Sequence, residues 1–571
     1  MLDFDYLLER VGTFGKYQII VFISLCYFGI PSGLNALASV FLSYTPEYRC
    51  LMYPFDNSSL YPNLTNEELF NLTTPLDDKN NPIDACQRYG YDLTECSGPN
   101  DFSCVNKSEP LVSCDEYYYN DSPFEKTTVT EFDLVCDRRI SHSLSSSAYM
   151  IGMFVGSLLF GNIADRFGRK FTIILTCYGM LFSMLGVAFC NMIELFSFTR
   201  FLVATFAMGC NVAIFCYIME MVGTKWRTLV GISYQMAFAI GYMLWSGIAY
   251  LYRDWHQMEL GAVVMSAPLA IIVLIVPESG RWLFTAGKEK KGKKVVSIMA
   301  RLNKVKLDEN IWSEAEKSAQ ERENEETDDT SYSTIDLFKH SKLRIVTLKV
   351  GFNWAVNSMV YYGISLNAGS LAGDIFLNNI YAGVLEIASY TVCAATMDFV
   401  GRRLLLTITL TGAGVALLVS TIVNAFADGD ESLILVGVVF AFIGKALVSG
   451  SFAVIYNFTG ELFPTVVRSN GIGFGSMSAR IGSVLSPFII GLQDYVSWLP
   501  NTIFGAVAVI GGLLSLTFRD TTGKPMMETI EEAELFYAGK DISRREKINE
   551  GYDNKAAIVV DEDERKTSTQ L

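Results

Sequence analysis

Apolar stretches of bilayer length recur along this chain. Windows of roughly 20 residues, the number a helix needs to cross the hydrocarbon, fall near 19–42, 143–163, 171–190, 195–219, 229–251 and 259–277. Six more lie near 346–366, 376–397, 404–426, 432–457, 470–492 and 498–518. The pattern predicts an all-α membrane protein with twelve transmembrane helices in two pseudo-symmetric six-helix bundles. It divides the chain into an N-terminus 1–18, a first helix 19–42, a large loop 43–141, helices two to six over 143–277, a hydrophilic linker 278–343, helices seven to twelve over 346–518, and a tail 519–571. The first span is too long, and lacks the small-residue cleavage site, to be a removable signal peptide.

Composition agrees: half of the 571 residues are apolar, mean hydropathy is +0.29 and only 18% are charged. A soluble chain of this length would carry more surface charge. The net charge of −15 comes from the loop 43–141, with seven Lys/Arg against eighteen Asp/Glu, and from the tail, with nine against thirteen. Acidic balance of this kind marks solvated segments and does not point to a nucleic-acid partner. Basic residues sort to one side. Arg166, Arg169 and Lys170 join spans 2 and 3, Arg402 and Arg403 join spans 8 and 9, and residues 281–306 hold nine Lys/Arg against one acid. The positive-inside rule makes that side cytoplasmic, both termini included.

The loop 43–141 is then external, and its residues say so independently. It carries sequons at Asn57, Asn63, Asn71, Asn106 and Asn120, the last weakened by a following Pro. It also holds Cys50, Cys86, Cys96, Cys104, Cys114 and Cys136, an even set that reads as three disulfides with fifteen connectivities open.

One motif appears twice. GNIADRFGRK, from Gly161, and DFVGRRLL, from Asp398, align Asp165, Gly168, Arg169 and Lys170 with Asp398, Gly401, Arg402 and Arg403. Glu220 precedes Arg227 by seven residues, and Glu461 precedes Arg468 by seven, at an offset of 241. Two halves that each repeat a charged turn between helices are the mark of a two-bundle transporter. Asp165, Arg166, Gly168, Arg169, Glu220, Arg227 and their second-half counterparts are therefore expected to act as gating residues: ion pairs that hold one side shut and break when it opens.

Together with the cysteine-rich loop, TEFDLVCDRR at 130–139, PESGRW at 277–282 and TGELFPTVVRSNGIG at 459–473, these motifs resemble the major facilitator superfamily. Within it the resemblance is to the organic cation, carnitine/zwitterion and organic anion transporter family. It covers essentially all of 1–525 and implies alternating-access transport at the plasma membrane, with the major facilitator fold. Members carry cations, zwitterions or anions.

Charges inside spans are costly and mark function. Glu386 in span 8, Lys445 in span 10 and Arg480 in span 11 are the three candidates. Glu386 resembles the family's acidic position in cation carriers, and Arg480 the anion and carnitine branches. One carboxylate and one guanidinium suit a ligand with an amine and a carboxylate, of the carnitine, betaine, β-alanine or carcinine type. The competing view pairs Glu386 with Lys445 or Arg480 internally and leaves a positive site for anions. Trp354, Tyr361 and Tyr362 share one helical face at i, i+7 and i+8, and the resemblance points Trp354 and Tyr361, with Gln235 and Asn35, towards the cavity. Tyr390 stands where some anion carriers have Lys.

The remaining expectations are brief. No nucleophile–His pair, metal spacing or phosphate loop suggests an enzyme, and no cofactor is implied. Energy would come from the solute gradient, the membrane potential, a coupling ion or an exchanged solute. Thr569-Gln570-Leu571 fits a carboxylate motif for scaffold domains. A receptor that kept the fold and lost transport is the further alternative.

Overall fold

A computed structural model describes residues 4–52, 55–56, 65–75, 85–91, 109–223, 226–307, 310–325, 333–370, 372–427, 430–494, 496, 498–522 and 527–539. Helices stand where the hydropathy pattern places them, with two differences of form, in spans 1 and 6. Span 1 is broken into Lys16–Cys26, Gly29–Ala36 and Ser39–Leu42. The first break has a local cause, since Pro31 has no N–H to bond Tyr27 O, and within the helix that follows Gly33 allows close approach to the backbone of Phe238 and Tyr242 in span 5.

Spans 2 to 5 are Arg139–Phe167, Arg169–Ala188, Ile193–Met221 and Arg227–Leu251. Span 6 is divided at Pro268 into Trp255–Ser266 and Pro268–Ile275. Spans 7 to 12 are Ser341–Leu366, Ile375–Val400, Arg402–Ala425, Glu431–Leu462, Arg468–Ile490 and Leu499–Ser515. Among the described residues nine of these twelve are long and apolar enough to span a bilayer by length and composition alone. Span 12 is apolar but short. Spans 7 and 11 are diluted by Lys349, Asn353, Asn357 and Arg480, the last three buried in the protein interior.

The two halves pack alike. Span 1 lies on 5 as 7 lies on 11, 2 on 4 as 8 on 10, and 3 on 6 as 9 on 12. Two seams join the bundles, span 2 with 11 and span 5 with 8, and a shift of six spans exchanges them. This is the twelve-helix, two-bundle architecture the apolar windows predict.

The segment between spans 1 and 2 folds on the side opposite the charged turns. Tyr48–Cys50 pairs antiparallel with Tyr117–Tyr119, and Gln87–Tyr89 with Leu111–Ser113. Disulfides Cys50–Cys114 and Cys86–Cys136 tie these strands together, while Cys96 and Cys104 lie outside the described residues. Glu131 seats the segment on span 6, accepting from Trp255 Nε1 at 2.6 Å and standing 3.0 Å from His256 Nε2. Burial pushes the Glu131 carboxyl up, yet its bonds from Lys126 and Trp255 and the charge of His256 outweigh that and hold it below its usual range. Asn57, Asn63 and Asn106 also fall outside the described residues. Asn71 is exposed on the helix Asn66–Thr73, whereas the side-chain oxygen of half-buried Asn120 accepts from Ser122 N. Asn71→Gln should therefore remove one glycosidase-sensitive mobility step and Asn120→Gln none.

On the other side, Phe4–Val11 and the linker helices Gly280–Thr285, Glu289–Asn303 and Ile311–Glu325 pack beneath the first bundle. Asn303 stitches them to span 1, accepting from Tyr17 N at 2.9 Å and donating to Val11 O at 3.1 Å. Helix Ile530–Tyr537 supports the second bundle: Glu534 accepts from the N–H groups of Lys342 and Leu343, two orphan donors where span 7 begins. Thr569-Gln570-Leu571 lies outside the described residues.

Candidate functional site

The duplicated turns have duplicated geometry. Arg169 Nε donates to Glu220 Oε1 at 2.9 Å and its Nη2 lies 3.1 Å from Asp165. Arg402 Nε donates to Glu461 Oε1 at 2.9 Å and its Nη2 lies 2.8 Å from Asp398. Even the second glutamate oxygens match, one taking the Ser279 hydroxyl and the other that of Thr521. Gly168 and Gly401 have φ of +110° and +87°, where a side chain is strained. A Cβ on Gly168 would also strike Glu278 and Trp282. Gly168→Ala should lower the stability of the purified protein by about 1–3 kcal/mol, read as a shift in its thermal unfolding.

In this conformation each of these ion pairs stays within one bundle and braces its own turn. Arg227 faces Asp5 at 3.9 Å and Arg468 donates to Thr465 at 3.2 Å, so neither pairs with Glu220 or Glu461 seven residues before it. Arg166 is exposed and lies over the Phe167 ring.

Glu386, Lys445 and Arg480 all sit near mid-depth of their spans. Glu386 is fully buried and filled with donors from the protein itself. Lys445 Nζ stands 3.0 Å from Oε2, while the hydroxyls of Tyr361 and Tyr390 donate to Oε1 at 2.9 and 2.8 Å. Ser449 adds a bond at 3.2 Å, and Tyr242, from the opposite bundle, another at 3.2 Å. Lys445 also donates to Ser365 Oγ at 2.6 Å and lies 3.6 Å from the Tyr361 ring centroid. This is the internal Glu386–Lys445 pair that the sequence held as the competing view.

Arg480 is different. It is only 8% exposed, and its Nη atoms reach the sulfurs of Met208 at 3.5 Å and Met153 at 3.9 Å, both in the opposite bundle. Its Nε has no hydrogen-bond partner, and among the described residues no carboxylate pairs with it. Tyr149, Tyr362 and Tyr456 lie within its electrostatic reach. A guanidinium at a bundle seam, bordered by methionine sulfurs and within reach of tyrosine hydroxyls, can receive an anionic group.

The remaining candidates scatter. Trp354 is buried in the second bundle, its Nε1 donating to Thr459 at 2.9 Å and its ring on Tyr456, which is in electrostatic reach of Arg480. Tyr361 turns to Glu386 and Tyr362 to Arg480, so one helical face serves two clusters. Asn35 is buried in the first bundle and donates to Pro31 O at 2.8 Å. Gln235 is half-buried in span 5. Two further embedded charges, Arg200 in span 4 and Glu259 in span 6, are both buried and escape a reading of the sequence. Their position close to span ends disguises them as edge residues.

Above Arg480 the seam is closed. Ser147 Oγ donates to Val484 O at 3.2 Å and Ser143 Oγ to Pro487 O at 3.4 Å, from span 2 to span 11. Over these bonds, beneath the strand-bearing segment, opens a vestibule of about 690 Å³ whose wall includes Tyr44, His142, Ser146, Asn367 and Gln493. Its floor at Pro487 stands two helical turns, roughly 10 Å, above Arg480. On the span 5–8 seam Asn379 Nδ2 donates to Tyr242 O at 2.7 Å.

Two bundles that meet along breakable seams around a mid-depth charge define a membrane transporter of alternating-access type. The family model "Sugar (and other) transporter" matches residues 87–533. The chain is 34% identical to the organic cation transporter protein of Drosophila melanogaster, over 96% of this chain and 97% of that one. It is 31% identical to human solute carrier family 22 member 13, with 94% of each covered. The inward-open xylose transporter of E. coli shares the fold at a TM-score of 0.59 and 15% identity, covering 91% of this chain and 99% of that one. This chain belongs to solute carrier family 22 within the major facilitator superfamily, and it is a secondary transporter and no enzyme.

Proposed function

We propose that this transporter moves small organic solutes that carry a carboxylate beside an apolar body, carnitine- and betaine-like zwitterions among them, across the plasma membrane with both termini cytoplasmic. The observation that carries this reading is Arg480. A buried guanidinium without a counter-charge is expensive, and a bound carboxylate supplies the missing partner through two parallel hydrogen bonds. Glu386 offers no comparable opening, because Lys445 already neutralises it. The amine of a zwitterion is left to the tyrosines near Arg480, Tyr362 and Tyr456, rather than to a free acid. A pure cation would have to share the site with Arg480 and is disfavoured. As the bundles rock, the hydrogen bonds of one seam break while the solute stays at mid-depth.

The test is uptake of labelled hippurate, carnitine and tetraethylammonium by expressing cells at two membrane potentials. The expected result is uptake of hippurate or carnitine above control, with none of tetraethylammonium. A net-neutral zwitterion moving alone should ignore the potential, whereas a lone cation gains about 2.3 kcal/mol per 100 mV. Uptake of tetraethylammonium alone would refute the carboxylate reading.

A further inference from the structure

Below the strand-bearing segment, in the first bundle, two opposite charges face each other without touching. Glu259, four residues into span 6, is 0% exposed and neither carboxylate oxygen has a hydrogen-bond partner. Arg200 in span 4 is 1% exposed and is the charged group that acts on it. Yet Arg200 commits Nη2 to Asn35 O at 2.9 Å, lies 4.5 Å from the Tyr149 ring centroid, and keeps Nη1 unpartnered. A bare carboxylate in such a place costs several kcal/mol, so something must satisfy it.

A metal cation is a poor answer. Hard cations take six or more oxygen ligands, the neighbouring guanidinium repels them, and among the described residues no three metal-binding side chains gather. A proton fits: it needs one oxygen, cancels the charge, and leaves when Arg200 swings over to form the pair. The other titratable groups around Glu259 are Tyr149 from span 2, Cys190 at the end of span 3, and His256 one turn earlier on its own helix. His256 is engaged elsewhere, its Nδ1 on Ala188 O at 2.8 Å and its Nε2 on Glu131 at 3.0 Å, and so leaves Glu259 to Arg200.

We propose that Glu259 is a proton-binding site coupled to transport, with Arg200 as the group that reads its charge. Protonation converts the carboxylate to the acid and frees Arg200 to hold Asn35 and Tyr149; deprotonation draws the guanidinium back to Glu259. Both held groups matter to the transport path. Asn35 lies in the broken stretch of span 1 that packs on Phe238 and Tyr242 of span 5, the helix that reaches across to Glu386. Tyr149 lies within electrostatic reach of Arg480. Coupling of this kind rests on reading Arg480 as the solute site, and a coupling free energy of ordinary size changes affinity by about 5–150-fold.

The test has two arms, and the first needs no solute. Infrared difference spectra of purified full-length protein, titrated in pH, should show the C=O stretch of a protonated carboxylic acid in the wild type and lose it in Glu259→Gln. Absence of the band from the wild type, or its persistence in the variant, overturns the proposal. In the second arm, wild-type liposomes loaded with carnitine should accumulate label about tenfold per unit of inward acid gradient for one proton per solute. Glu259→Gln should still exchange carnitine for carnitine but ignore the gradient. Gradient-driven accumulation that survives in Glu259→Gln also overturns the proposal. Failure of the wild type to move carnitine at all would instead count against the solute reading, and the infrared arm would still decide this one.

Discussion

Lys445→Ala is expected to leave little folded protein at the cell surface, while the double variant Lys445→Met with Glu386→Gln recovers most of it. Lys445 is 2% exposed and Glu386 0%, so removing the ammonium strands a carboxylate in the core of the second bundle. Breaking a buried pair from one side costs about 3–5 kcal/mol, a large share of a typical total of about 5–15 kcal/mol. Replacing both partners by neutral groups of similar size removes the penalty. Glu386→Gln keeps an acceptor oxygen for Tyr361 and Tyr390, and its amide N–H can donate to the Tyr242 hydroxyl, which turns to accept. Surface biotinylation and thermal unfolding of the purified variants measure both effects. Normal expression and stability of Lys445→Ala would show that Glu386 is not held by this pair.

Arg480→Ala should behave in the opposite way. No acid depends on Arg480 among the described residues, so its loss orphans no charge and the variant should reach the surface at parental levels. Uptake of carboxylates should nevertheless fall at least tenfold, because truncating one partner of a desolvated charge pair costs about 2–5 kcal/mol. Arg480→Lys keeps the charge but not the planar fork that meets a carboxylate with two bonds, so it should recover only part of the uptake. Uptake kinetics normalised to surface protein check this. Loss of folding in Arg480→Ala would mean that the methionine and tyrosine neighbours of Arg480 form a structural cluster.

Much of this architecture is legible in the chain. Period and length of the apolar windows place the spans, and the repeated GNIADRFGRK and DFVGRRLL segments anticipate that Arg169 and Arg402 meet carboxylates, because a turn with a fixed spacing of charges fixes local geometry. What resists reading is anything set by tertiary approach. The close approach of Gly33 to the backbone of span 5 is of this kind, and no local signal reports it. Helical spacing puts Trp354, Tyr361 and Tyr362 on one side, but only the packed bundle shows that this side borders the Thr459–Tyr456 core, the Glu386 cluster and the Arg480 seam in turn. The partner of Glu386 stays open in the sequence between Lys445 and Arg480, since three embedded charges have several pairings and sequence distance does not rank them. Arg200 and Glu259 escape because a charge near a span end usually reaches water, and here both are covered.

The central claim is that Arg480 takes the solute's carboxylate. The most direct measurement is uptake into liposomes holding purified wild-type or Arg480→Gln protein, using carnitine, its carboxamide and hippurate as labelled solutes. Carnitine or hippurate should enter wild-type liposomes and lose at least tenfold in the variant, while the carboxamide, which lacks the anionic end, should enter poorly with either protein. Equal uptake of carnitine and its carboxamide, unchanged by Arg480→Gln, would contradict the account.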